Sequence, residues 1–165
     1  MNGIVQRTGI DIVQLHGKED VSFIDKIIVP CIKVIHIPAL STTSDVNQGQ
    51  ENGADDARIV QAVLSEVEGL KGKAVALLFD SKLPGSQTSG GSGKTFDWKL
   101  VEQLAGVPVL LAGGLTAENV SSVGSVNGVF GVDVSSGIEE RSGKKHIQKM
   151  KAFISNARAA SIIVS

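Results

Sequence analysis

Val107-Pro108-Val109-Leu110-Leu111-Ala112-Gly113-Gly114-Leu115-Thr116 runs from a turn former through an unbroken apolar stretch into two glycines and a hydroxyl residue. An apolar run without polar alternation suits a strand covered on both faces, the condition of a parallel sheet lying under helices. Thr116, followed by Glu118 and Asn119, reads as a capped helix start. The stretch is therefore one βα unit, a strand feeding a helix through a glycine turn.

The same kind of run recurs at residues 10–15, 32–35, 74–79 and 128–132, so five strands are expected. Helical spacing lies between them. Residues 19–29 place Val21, Ile24, Ile27 and Ile28 on one side; residues 54–68 do so with Ile59, Val63, Leu64 and Val67, and residues 144–159 with Ile147, Met150 and Ile154. Shorter helices are expected at 97–104 and 116–123. Two connections, 38–53 and 81–95, are longer than a minimal βα loop. The first is polar without obvious chemistry and reads as a surface excursion or a disordered stretch. The fold class is α/β, with βα units repeating through one domain.

Composition narrows the function. A chain of 165 residues, 42% of them hydrophobic, can bury a sizeable core as a single domain. Sixteen basic residues against 17 acidic ones leave no bulk field to attract nucleic acid or an anionic membrane, so any bound anion must be held locally. With no Tyr, one Trp and five Phe, stacking platforms for single-stranded bases are also missing. The lone Cys31 cannot form an internal disulfide, and no Cys/His spacing suggests zinc, which fits a reducing compartment. Residues 1–9 lack an apolar leader core and the apolar runs are far shorter than a membrane span. A soluble, cytoplasmic protein with no nucleic-acid or membrane partner is expected.

Polar residues cluster where the strands end. His16-Gly17, His36, Asp80-Ser81-Lys82, Gly113-Gly114 and Asp133-Val134-Ser135-Ser136-Gly137 follow the apolar runs, whereas Gly72, Pro108 and Asn127 lead into them. Ligands of α/β sheets and barrels bind at the carboxyl ends of the strands, where the βα loops converge. Gly113 and Gly114 can expose backbone N–H groups to an anion at a helix start, and Ser135, Ser136 and Gly137 offer a second set of donors. Each alone is also compatible with a tight turn; at successive strand ends they favour a phosphate. Gly90-Gly91-Ser92-Gly93-Lys94-Thr95 is not a P-loop, because Thr88 stands where the first glycine is required, and a dinucleotide fingerprint begun at Gly91 would end on Phe96.

Asp80 closes its apolar run, where partial burial suits a general acid; a turn or cap is the plainer role. His16 is placed either to touch a substrate or merely to close its strand. His36 and His146 show no supporting partners in the sequence. Cys31 falls at the amino end of its strand and reads as packing.

Five ordered segments resemble the signature stretches of phosphoribosylanthranilate isomerases: Asp11-Ile12-Val13-Gln14-Leu15-His16-Gly17, Leu78-Phe79-Asp80-Ser81-Lys82, the glycine-rich 90–98 ending in Phe96-Asp97-Trp98, Leu111 through Val120, and Val132-Asp133-Val134-Ser135-Ser136-Gly137-Ile138-Glu139. The resemblance runs from about Gly9 to Arg158. It implies an incomplete (β/α)₈ TIM barrel, a single partial domain over 1–165 of about five βα units, from barrel strand four to helix eight. It also implies an Amadori rearrangement of N-(5′-phosphoribosyl)anthranilate to 1-(2-carboxyphenylamino)-1-deoxyribulose 5-phosphate in tryptophan biosynthesis, with neither cofactor nor metal. Asp80 would be the catalytic acid. His16, Gly91 and Asp133 would lie against the substrate, and Gly113, Gly114, Ser135, Ser136 and Gly137 would hold its phosphate.

Two departures qualify this. The family's first three βα units, with a basic cysteine and a carboxylate-binding arginine, precede its Gln-Leu-His-Gly strand, and here nine residues precede Ile10. Lys144-Lys145-His146 stands where the family often has Lys-Asp. Three readings follow: a portion of an isomerase completed by a missing N-terminal segment, a non-catalytic phosphate-binding half-barrel, or an interaction module that self-associates through open sheet edges.

Overall fold

The computed structural model describes residues 1–37, 52–80, 98–104 and 106–164. All five expected runs form strands: β1 (Val13–Leu15), β2 (Cys31–His36), β3 (Ala76–Asp80), β4 (Val109–Ala112) and β5 (Val129–Val132). They lie side by side in chain order and every pairing is parallel. Each connection therefore crosses over one face, which is the incomplete (β/α)₈ arrangement expected from the sequence.

Alternation along the strands separates two environments. Leu77, Phe79, Val109, Leu111 and Val132 are fully buried on the helix-covered face, packed with Val63, Val67, Phe153 and Ala157. Truncating Phe79 to alanine in such a core costs about 3–5 kcal/mol. On the opposite face Ile32, Val34, Leu78, Leu110 and Ala112 form a second, smaller apolar cluster. Val34 is in register with Leu78, and Leu78 with Leu110, so this cluster contains one layer across neighbouring strands, as in a barrel interior. Two residues further along, His36 pairs with Asp80 and Asp80 with Ala112. Polar side chains thus follow directly on the apolar layer at the carboxyl end of the sheet.

Several elements differ from the sequence reading. Residues 2–8, read only as lacking a leader, form helix α1 (Asn2–Thr8), which buries Val5 in the main core. The helix expected over 19–29 shrinks to α2 (Val21–Ile24), capped by Asp20, whose Oδ1 accepts the Phe23 N–H at 2.9 Å. It stops early because Asn2 takes the next backbone groups: its Nδ2 donates to Lys26 O at 2.7 Å and its Oδ1 accepts from Ile28 N. Ile28 is left exposed.

Helix α3 (Asn52–Leu70) lies where expected and buries Val63 and Val67. The two shorter helices appear as 3₁₀ segments, Trp98–Gln103 and Val120–Ser125. Residues 139–145 form a small antiparallel hairpin of β6 (Glu139–Arg141) and β7 (Lys144–Lys145). Helix α4 (Ile147–Ala159) then buries Phe153 and Ala157, not the expected Ile147 and Met150, which are exposed. Its rotation is fixed by Asn156, whose Nδ2 donates to Ala117 O at 2.7 Å. A sixth parallel strand, β8 (Ile163–Val164), pairs with the free side of β5. Residues 38–51 and 81–97 lie outside the described set, and with them most of both long loops.

Candidate active site

Three strand ends converge on Asp80. The residue is buried, and its Oδ2 lies 3.7 Å from His16 Nε2 and 3.9 Å from His36 Nδ1. The two imidazoles have centroids 4.9 Å apart and are tilted by 55° instead of stacked. His36 Nε2 faces the His16 carbonyl oxygen at 3.4 Å. His36, which seemed partnerless in the sequence, is therefore a member of the cluster. Linear spacing hid it, because strand register brings 16, 36 and 80 together.

The turn that carries His16 is tied from below. Lys33, buried within β2, donates its ammonium to the Gly17 carbonyl and to Glu19 Oε2, while Glu19 Oε2 also accepts the Gly17 N–H at 3.0 Å. A buried ammonium needs such partners to offset its lost hydration. Cys31 opens the same strand at the opposite pole, and burial pushes its thiol up against the weaker pull of Lys33. It packs in the core, as expected.

Asp133 follows β5 and is held at the sheet by its N–H, which donates to Leu111 O at 2.9 Å. Its carboxyl is displaced above the usual carboxylate range by burial first and the charge of Asp80 second, against the pull of His16 and Lys145. The two aspartates and His16 thus share one electrostatic environment.

The two expected anion loops are in contact. Gly113 and Gly114 adopt positive φ of 81° and 66°, a backbone course that favours glycine. A Cβ on Gly137 would lie 1.8 Å from the Leu115 carbonyl oxygen, so only glycine allows the 3₁₀ turn Ser136–Ile138 to sit against the Gly-Gly-Leu loop. Asn119 braces that loop: its Oδ1 accepts the Thr116 N–H at 2.8 Å and its Nδ2 donates to Gly114 O at 2.9 Å. The helix expected to start at Thr116 instead begins as a short 3₁₀ segment at Val120. No helix dipole is therefore aimed at the Gly-Gly-Leu loop, which has only its own N–H groups to offer an anion.

Lys145, passed over in the sequence as a minor departure, donates to Ser135 O at 2.8 Å, Ser135 Oγ at 3.0 Å and Glu139 Oε1 at 2.8 Å. It brings a cation to the serine loop, and only the hairpin that carries it could have revealed this. His146 caps α4 by accepting from Lys149 N. Gly91 lies outside the described residues.

The chain is 39% identical over 158 residues to tryptophan biosynthesis protein TRP1 of Phytophthora nicotianae, a match covering 93% of this chain and 27% of that protein. It is 37% identical over 158 residues to the N-(5′-phosphoribosyl)anthranilate isomerase of Neisseria meningitidis serogroup C, covering 96% of this chain. It spans 65% of that relative's length. The crystal structure of the phosphoribosyl anthranilate isomerase of Thermotoga maritima superposes with a TM-score of 0.67 at 31% identity, over 95% of this chain and 66% of that one. The family model of N-(5′-phosphoribosyl)anthranilate (PRA) isomerase matches residues 1–156, which takes in α1 as well as the stretch from Gly9 onward. With nearly all of its length accounted for, the chain belongs to the N-(5′-phosphoribosyl)anthranilate isomerase family.

Proposed function

We propose that this chain supplies the proton-donating and phosphate-holding part of an isomerase that converts N-(5′-phosphoribosyl)anthranilate to 1-(2-carboxyphenylamino)-1-deoxyribulose 5-phosphate. One observation carries the reading: Asp80 is in register with Ala112, the residue before Gly113, while Gly137 meets Leu115 across the same strand ends. A sugar phosphate seated on the two loops would therefore have a buried carboxyl beside it.

Asp80 would give its proton to the furanose ring oxygen as the C1′–O bond breaks and the anilino nitrogen lone pair forms the C1′=N bond. A base then removes the C2′ proton, the electrons return to the iminium nitrogen, and the enolamine relaxes to the aminoketose. The N–H groups of Gly113, Gly114, Leu115 and Gly137, with the Ser135 and Ser136 hydroxyls, would hold the phosphate, and Lys145 would offset its charge. His16 and Asp133 would orient the opened chain. Cys31 is too far toward the other pole to act as the base.

Anthranilate fluorescence tests this, followed with the chain alone and with a separately supplied polypeptide bearing a family member's first three βα units. Turnover in either arrangement that collapses in Asp80→Asn supports the proposal. Binding of inorganic phosphate without turnover in both arrangements would reduce the chain to a phosphate-binding protein.

A further inference from the structure

We propose that His16, His36 and Asp80 form a site for one divalent transition-metal ion of the zinc type. Each offers one ligand atom, and these atoms lie within 4.8 Å of one another. Two imidazole nitrogens and a carboxylate oxygen are ligands such ions take, and three protein ligands leave coordination positions open to water or to a ligand oxygen.

The dimensions fit. A tetrahedral ion with bonds of about 2.0–2.2 Å holds its ligand atoms about 3.3–3.6 Å apart. The present separations from Asp80 Oδ2 are 3.7 and 3.9 Å, a few tenths of an ångström too long, and the three ligand atoms as a set lie within 4.8 Å, so the two imidazoles must also draw together. The anchor is fixed, because Asp80 ends a fully buried strand, and the imidazoles can adjust, being 47% and 42% exposed.

The His16 carbonyl oxygen faces His36 Nε2 at 3.4 Å, so the neutral tautomer with its hydrogen on Nε2 can donate there and leave Nδ1, on the Asp80 side, for an ion. A second contact that orients the ligating nitrogen in this way is a regular feature of histidine metal sites. The neighbouring Asp133 carboxylate adds negative charge that a cation would relieve. Three strands supply the three ligands, so no local spacing in the sequence announces them.

The binding does not depend on the isomerase reading. A consequence does: an ion on Asp80 removes the proposed proton donor, so zinc would inhibit turnover.

The chain is titrated with Co²⁺ followed by visible absorption and with Zn²⁺ by calorimetry, in buffer free of phosphate and chelators. One equivalent should bind, and His36→Ala and Asp80→Asn should each weaken it by on the order of 10–100-fold or more. His146→Ala, outside the cluster, should retain it, and thermal melts show that each variant is folded. Absence of saturable binding overturns the proposal. Equal weakening in His36→Ala and His146→Ala does so too, as does a thiolate charge-transfer band from Cys31. Binding that leaves turnover untouched would support the site and instead defeat the acid role of Asp80.

Discussion

Asp133 is half-buried beside Asp80, and its raised proton affinity has a signed consequence. Between its ordinary value of 3.8 and the higher folded value, the folded chain binds more protons than the unfolded one, so stability falls as pH rises through that window. Asp133→Asn removes the effect and should melt higher than the parent at pH 7, with the advantage fading as pH falls toward 3.8. A lower melting temperature at pH 7 refutes this. Asp80→Asn should lower turnover by roughly 10²–10⁴-fold with the fold retained, as expected for a lost general acid. Gly137→Ala must push the Leu115 loop away; a destabilisation of about 1–3 kcal/mol in urea, with weaker phosphate binding, is expected of such overpacking. At this scale the sequence revealed residues that follow apolar runs, such as Asp80 and Gly113. It concealed His36 and Lys145, whose neighbours are set by strand register and by a hairpin. The glycine at 137 was read only as a candidate anion donor, whereas the close approach to Leu115 that requires it left no signal in the sequence.

Elements were readable where a continuous apolar run dictated them, and all five such runs became strands. Helices were less so, because an apolar stripe indicates a face without saying what competes for it. Asn2 shortens α2 from a distance of more than 20 residues in sequence, and Asn156 turns α4 so that Phe153 faces inward. Hydrogen bonds of that range leave no local signature. Lys33 is a parallel case within β2, a charge in an apolar strand whose partners, Gly17 and Glu19, lie on the preceding connection. Lys33→Met should destabilise the fold by about 1–3 kcal/mol, since the Gly17 carbonyl and the Glu19 carboxylate both lose a donor. As Gly17 adjoins His16, KM should rise more than kcat falls. Unchanged KM in a destabilised variant would assign Lys33 a purely structural role.

For the molecule as a whole, the sheet is open. β1 ends one side without a neighbour among the described residues, and Ile10 and Ile12 nearby are exposed, as is Phe130 within β5. Unpaired edges beside apolar surface promote association. Sedimentation should show mass rising with concentration, and Ile12→Lys should suppress the rise; a monomer at all concentrations would contradict this. The chain spans 65% of the length of its Neisseria relative, and the motifs in its sequence are all ones the resemblance assigns to barrel strand four onward. That β5 would acquire a companion from residues 163–164 was not legible there, because two residues carry no periodicity.

That companion has a kinetic implication. In a closed eight-membered ring the last strand is zipped to the first, and here Ile163–Val164 already lies along that seam. Any polypeptide arriving to complete the ring must evict it, so reconstitution should proceed at the pace of a small local detachment, and a chain shortened to Ser161 should assemble faster than the parent.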